Sequence, residues 1–170
     1  MKKTSEMNVV VVGAGIVGAS IAYHLSCQGA RVTIVEAGRV ASGVTSTSFA
    51  WINTSYSAAD PVAPLRAAAI SDYRRLETEL PGLLIQWTGS LTYGTPEERN
   101  THATDEKRSP VSRTQALVLE PNLRHPPAQA SHAPEEGAMD AVAATRVLIT
   151  AAQAQGARLL EQAQVKGFNG

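Results

Sequence analysis

Three glycines, Gly13, Gly15 and Gly18, followed by the acid Glu36, have the types and spacing of a cradle for a dinucleotide. Gly13 lets the chain turn sharply, and Gly15 lacks the Cβ that would hold the backbone away from a pyrophosphate. Gly18 allows a following helix to lie close to the preceding strand, and the start of that helix points free N–H groups at the phosphates. Glu36 lies roughly twenty residues beyond the glycines, where the fingerprint requires an acceptor for the adenosine ribose hydroxyls. A carboxylate there repels a 2′-phosphate, which disfavours a phosphorylated dinucleotide.

Such a cradle needs a strand, a helix and a second strand. Val9 to Val12 are four valines, stiff at the first side-chain torsion and suited to a strand. Apolar at every position, this strand is expected to be central, parallel and covered on both faces. Ile16, Ile21, Ala22 and Leu25 give the next segment an apolar helical side, and Gly29 stands where a C-terminal cap belongs. Arg31 to Glu36 reads as the second strand. Two other readings stay open. The glycines also suit a tight strand-to-helix turn that binds nothing. Lys2 and Lys3 ahead of an apolar stretch resemble an export signal, although Glu6, Asn8 and the three glycines interrupt it.

The chain has 170 residues, enough for one sizeable core and part of another. Lys plus Arg and Asp plus Glu number 15 each, so charge gives no reason to expect nucleic acid as a partner. The one cysteine, Cys27, falls in the first helical pattern and fits a reducing compartment, with the cytoplasm as the expected location. No apolar run reaches the length of a transmembrane segment, which leaves peripheral membrane association open.

After Glu36 the sequence runs from Ala37 to Trp51 through small and hydroxylated residues, Ser42-Gly43-Val44-Thr45-Ser46-Thr47-Ser48 among them. That composition suits backbone passing close to a ligand; an ordinary exposed linker is the plainer alternative. The glycine fingerprint, Glu36 and this segment together resemble the D-amino-acid oxidase-like family of FAD-dependent oxidoreductases, which includes glycine and sarcosine oxidases. The resemblance implies FAD as cofactor. It sets Gly13, Gly15, Ile16, Val17 and Gly18 at the pyrophosphate, with Glu36 and Ala37 at the ribose and adenine. Val44, Thr45 and Ser46 would approach the phosphates, while Phe49, Ala50 and Trp51 would approach the flavin ring. Family members commonly carry glycine where this chain has Ala50. NAD stays a rival cofactor on the fingerprint alone; the hydroxylated segment and the long excursion before the return helix favour FAD.

Further along, Asp60-Pro61 opens a helix on which Leu65, Ala68, Ala69, Tyr73, Leu76 and Leu80 recur at helical spacing, until Pro81-Gly82 stops it. Leu84 to Trp87 and Ser90 to Tyr93 flank Thr88-Gly89 and read as a hairpin. Thr95-Pro96-Glu97-Glu98 has capping-box form and predicts a helix. From Arg99 to Pro134 the sequence is polar and proline-rich and reads as loops. His102, His125 and His132 fall there without metal-ligand spacing, so no metal is expected. Asp140 caps a predicted helix from Ala141 to Gln155, ended by Gly156, and a strand pair follows over Ala157–Glu161 and Gln164–Phe168. The resemblance makes Val165 the valine whose backbone meets the adenine.

The expected fold class is α/β: a Rossmann-like FAD-binding βαβ unit with the beginning of an α+β substrate domain, truncated. Residues 1–56 form the first FAD-binding segment, 57–135 the partial substrate domain and 136–170 the return to the FAD-binding domain. The family fold runs for about as many residues again, so the C-terminal half is expected to be absent and the open sheet edge to invite a complementary subunit or self-association. The implied reaction is hydride transfer to flavin from the CH–NH group of an amino acid or secondary amine. No residue is assigned as catalytic; Trp51 and Asn53 are the nearest candidates to a flavin face. A nucleotide-binding module without chemistry of its own and an inactive remnant are the competing readings.

Overall fold

The computed structural model describes residues 7–53, 61–94 and 108–167. Asp60, the Thr95–Glu98 capping box, His102 and the lysines near the N-terminus lie outside them, as does Phe168. The chain divides into two compact units, one made of Met1–Ala50, Leu76–Leu84 and Met139–Gly170, the other of Trp51–Arg75 and Ile85–Ala138.

The first unit is the βαβ arrangement, extended by a third strand. β1 (Asn8–Val12) runs into α1 (Ile16–Cys27), and β2 (Arg31–Val35) returns parallel to β1 in the register Asn8↔Arg31 to Val12↔Val35. Gln28 caps α1 and Gly29, at φ +84°, turns the chain out of it. β9 (Arg158–Leu160) adds to the far side of β2, again parallel, so the order is β1-β2-β9. Asp140 starts the preceding helix, α4 (Ala141–Ala154), by accepting from the N–H groups of Val142 and Ala143 at 2.8 and 2.9 Å. Gly156 stops it at φ +95°. α1 packs along α4, and both turn small side chains inward. Ala19, Ala22, Ala144, Thr145 and Ala152 are buried, beside Val32 and Ile34 of β2. Close packing of such small groups gains dispersion energy only at short interaxial distance.

Two expectations fail in this unit. Among the described residues β1 lies at the edge of its sheet and is covered on one face. Among the described residues it pairs with β2 alone, and alternation leaves Val10 and Val12 at 62% and 55% exposure while Val11 is buried. A strand has period two, so one face of a valine run can be buried and the other open. Gln164–Gly167 forms no strand; past β9 the chain turns at Gln162, φ +55°, and its hydrogen bonds go to the segment after β2 instead.

The second unit holds two three-stranded sheets. In one, β8 (Gly137–Met139) lies between β3 (Trp51–Ile52) and β4 (Ile85–Gln86); in the other, β7 (Gln129–Ala133) lies between β5 (Ser90–Thr92) and β6 (Ser109–Ser112). The predicted hairpin is therefore not formed, because β4 and β5 join different sheets. Gly89, at φ +76°, redirects the chain between them, and its N–H donates to the Glu136 carbonyl at 2.8 Å. The stretch read as loops holds β6, β7 and the short helix α3 (Arg113–Leu119). Ser112 and Gln115 give α3 a capping box, and Val111, Ala116 and Ala130 form a buried cluster with Leu91 against it. The helical spacing after Pro61 is realised as α2 (Ala63–Glu79). Among the described residues no helix is long and apolar enough to cross a membrane.

Candidate functional site

The glycine turn in the first unit is shaped by backbone. Gly13 has φ +100°, a conformation that costs any residue with a Cβ, and its N–H donates to the Val35 carbonyl at 2.8 Å, tying the turn to the end of β2. A Cβ on Gly18 would collide with the Gly13 carbonyl oxygen, so glycine is what lets α1 start against β1. Gly15 is the N-cap of α1. It has no side chain to close the helix end, and the first turn carries no acid. The helix dipole and the first-turn N–H groups beyond Ile16 are thus available to an anion.

Glu36 closes the other side of the turn. One carboxylate oxygen accepts from the Ala14 N–H at 2.7 Å and the other from the Gly38 N–H at 2.7 Å. These two backbone donors, Ala14 first, hold the Glu36 carboxyl below its ordinary range against a smaller opposing effect of burial. Each oxygen keeps acceptor capacity beyond its backbone partner. The return segment is joined to the same place: Ala163 N–H donates to the Glu36 carbonyl at 2.9 Å, Gln162 N–H to the Gly38 carbonyl at 3.0 Å, and Val40 N–H to the Glu161 carboxylate at 2.7 Å. Val165, two residues on, is half-buried, and Ala37 is exposed.

The hydroxylated segment meets the helix start through one residue. Val44–Thr47 forms a 3-10 turn in which Thr45 is buried, and its Oγ1 accepts from the Ile16 N–H at 3.1 Å. A Cβ on Gly15 would meet that same oxygen at 3.0 Å. The Ser46 hydroxyl donates to the Gly43 carbonyl at 2.8 Å. Val17, Val44 and Phe49 are exposed, Val44 at 86% and Phe49 at 81%. An open cavity of about 620 Å³ runs along this face, lined by Val10, Val12, Gly15, Val17, Ile21 and Val44 among others. Ala50 has φ +50°, the left-handed region that glycine occupies at no steric cost.

Trp51 opens β3 in the second unit, where its indole Nε1–H donates to the Glu136 carboxylate at 3.1 Å; Asn53 is half-buried. The sequence reading missed Glu136, which is 1% exposed, and its buried ion-pair partner Arg108 at 2.7 Å. The local signal was an acid placed directly before the apolar Gly137–Met139; nothing local links it to Arg108. Among the described residues, no group of three His, Cys, Asp or Glu side chains could hold a metal ion.

The model of the family described as FAD dependent oxidoreductase matches residues 8–170. A glycine oxidase from Geobacillus kaustophilus is 29% identical over an alignment of 180 positions that covers 95% of this chain and 48% of that protein. The 4-methylaminobutanoate oxidase (formaldehyde-forming) of Paenarthrobacter nicotinovorans is 37% identical over 90 residues, 52% of this chain and 11% of that protein. Among solved structures, the Geobacillus glycine oxidase superposes with a TM-score of 0.82 at 27% identity, covering 92% of this chain and 47% of that one. The L-proline dehydrogenase of P. horikoshii gives 0.82 at 25% identity, covering 96% and 46%. The chain spans about half the length of the glycine oxidase it matches.

Proposed function

This chain belongs to the family of FAD dependent oxidoreductases, and we propose that it supplies the FAD-binding part of an enzyme that oxidises the CH–NH group of an amino acid or secondary amine. The observation that carries this reading is the meeting of Glu36 with Ala14. It sets an acid suited to accept from ribose hydroxyls against a turn whose glycines and helix start suit a pyrophosphate. The fit is supported by Gly15, where a side chain would crowd the Thr45 hydroxyl at the helix start, and by Gly18, which lets α1 start against β1.

Gly13, Gly15, Ile16, Val17 and Gly18 would hold the pyrophosphate, with Val44, Thr45 and Ser46 beside it. Glu36, Ala37 and Val165 would hold the ribose and adenine, and Phe49, Ala50 and Trp51 would meet the flavin ring. Ala50, at φ +50°, takes a conformation that glycine occupies without strain. In this reading residues 1–56 and 136–170 make the FAD-binding domain and 57–135 the start of the substrate domain. When bound, FAD supplies the two-electron acceptor that side chains cannot provide. The chain's own residues orient it, keep a carboxylate at the ribose and screen the phosphate charge with the helix start.

Relatives named for glycine, 4-methylaminobutanoate and L-proline support an amino acid or amine as substrate. Because the match covers half of the glycine oxidase, catalysis is assigned to the completed enzyme and cofactor binding to this chain. The exposed Val10 and Val12 face favours completion by further polypeptide or self-association. Cys27, free and exposed, is consistent with a cytoplasmic setting.

The test is to purify the full chain, desalt it, denature it and identify what is released. FAD in the supernatant, and a melting transition raised by added FAD but not by NAD, is the expected result. A colourless chain whose melting neither dinucleotide changes overturns the reading; a response to NAD alone reassigns the cofactor.

A further inference from the structure

Glu36 is bonded to the turn it faces, a contact that an acceptor for ribose alone would not need. Its two carboxylate oxygens accept from different backbone groups, one from the Ala14 N–H inside the glycine turn and the other from the Gly38 N–H beyond β2, each at 2.7 Å. Both contacts are short, as expected where the acceptor is charged. The Ala14 N–H contributes most to holding the carboxyl below its ordinary range, the Gly38 N–H next, and the Ala37 N–H adds less.

Ala14 is fully buried, so its N–H cannot turn to water and depends on this carboxylate. Its carbonyl accepts from the Ala41 N–H at 3.0 Å. Glu36 is fixed at its own end: its N–H donates to the Leu160 carbonyl at 2.8 Å and its carbonyl accepts from the Ala163 N–H at 2.9 Å. The side chain is therefore a strut from a pinned strand end to the middle of the turn. Ala14 directly precedes Gly15, the N-cap of α1, so where Ala14 is held decides where the helix start lies. All of these residues belong to the first unit.

Resting on the dinucleotide reading above, we propose that Glu36 is also a positioning residue for the phosphate end of the site: through the Ala14 N–H it holds the glycine turn and the start of α1 where a pyrophosphate is received. This effect does not pass through the ribose. A nucleotide without ribose hydroxyls therefore still depends on Glu36. A carboxamide cannot replace the carboxylate, because glutamine has one acceptor oxygen and one NH2 group. It can serve either Ala14 or Gly38 and sets a donor against the other.

The experiment compares ADP with 2′,3′-dideoxy-ADP, which keeps the adenine and the diphosphate and lacks both hydroxyls, by calorimetric titration of the full chain. Wild type, Glu36→Gln and Glu161→Gln are titrated. Glu161 is the matched control: its carboxylate also accepts a backbone N–H at 2.7 Å, from Val40 in the same unit, without touching the turn. Glu36→Gln is expected to weaken dideoxy-ADP by at least about fivefold, the scale of one charge-assisted hydrogen bond, and ADP by at least as much. Glu161→Gln is expected to keep both within about twofold. The Ala14 amide proton resonance reports the strut itself: it is expected to move upfield in Glu36→Gln and to stay in place in Glu161→Gln. A loss confined to ADP overturns the proposal and leaves the dinucleotide reading intact, as do equal losses in the two variants or an unmoved Ala14 resonance in Glu36→Gln. A wild-type chain that binds neither nucleotide overturns the dinucleotide reading, and this role with it. Should Glu36→Gln not fold, replacing Ala14 by its α-hydroxy acid analogue removes the N–H and leaves Glu36 and its charge untouched. Dideoxy-ADP affinity within about twofold of wild type in that protein overturns the role.

Discussion

The glycine turn of the first unit and the Glu136–Arg108 post of the second solve opposite problems with opposite materials. The turn must leave room and unspent donors for a charged guest, so it is built from backbone, with Gly13, Gly15 and Gly18 withholding side chains. The post pairs buried charges with one another, so it is built from side chains that bond in the interior. The first is local in sequence and the second is assembled from positions as far apart as Trp51 and Glu136. A glycine turn of this kind is thus readable from a short stretch of residues, whereas a buried ion pair is readable only from the fold.

Substitutions that separate the two should differ in size and in what they disturb. The largest effect is expected from Arg108→Met, which strands the Glu136 carboxylate in the interior. A cost of about 3–5 kcal/mol is expected, measured by urea denaturation and seen as loss of the second unit's structure with the first retained. Gly18→Val is next. Its Cβ would overlap the Gly13 carbonyl oxygen, and overpacking against backbone costs about 3 kcal/mol. Here the loss should fall on the first unit and abolish FAD binding together with stability. If Arg108→Met impaired dinucleotide binding as strongly as Gly18→Val, the two regions would not be separate devices.

A smaller effect concerns Glu36. Its folded pKa is depressed by the Ala14 and Gly38 N–H groups, so its stabilising contribution is complete above the ordinary glutamate value of about 4.3. It is lost as pH falls through the lower, folded value. Wild type should therefore melt higher than Glu36→Gln at neutral pH, and the gap should close in acid. A gap independent of pH would mean that the carboxylate charge is not what holds the turn. The smallest effect has the opposite sign. Ala50→Gly relieves a left-handed alanine at φ +50° and should raise stability by up to about 1 kcal/mol, part of the gain being lost to the entropy of glycine. Thermal melting would detect it, and a lowered transition would show that Ala50 is not strained.

The legible parts of the fold were those whose causes are close in sequence. Gly29 and Gly156 end their helices at positive φ, and Asp140 caps α4 through the next two N–H groups after its neighbour. β1 and β2 pair as the valine run and Arg31–Val35 indicate. What could not be read depends on partners. Thr88-Gly89 has hairpin composition, but the strands beside it find better partners in β8 and β7, and the glycine serves a change of sheet. The valines of β1 are uniformly apolar, yet their exposure alternates because a neighbour covers only one face of the strand among the described residues. In the proline-rich stretch the Ser112–Gln115 box was readable in principle, while β7, with Ser131 and His132 in its middle, is held by strands on both sides more than by its own composition. For the site, Glu36, Thr45 and Ser46 gained partners that spacing alone could not name. Glu136 stood as an acid before the apolar Gly137–Met139, but nothing local linked it to Arg108.

The central claim is that the turn at Gly13–Gly18 and Glu36 together form a dinucleotide site, and calorimetric titration of the full chain with ADP-ribose and with its 2′-phosphorylated form tests it most directly. Saturable one-to-one binding of ADP-ribose, with the 2′-phosphate form weakened by the Glu36 carboxylate, is the predicted result. Absence of saturable ADP-ribose binding, or equal binding of the two ligands, would contradict it.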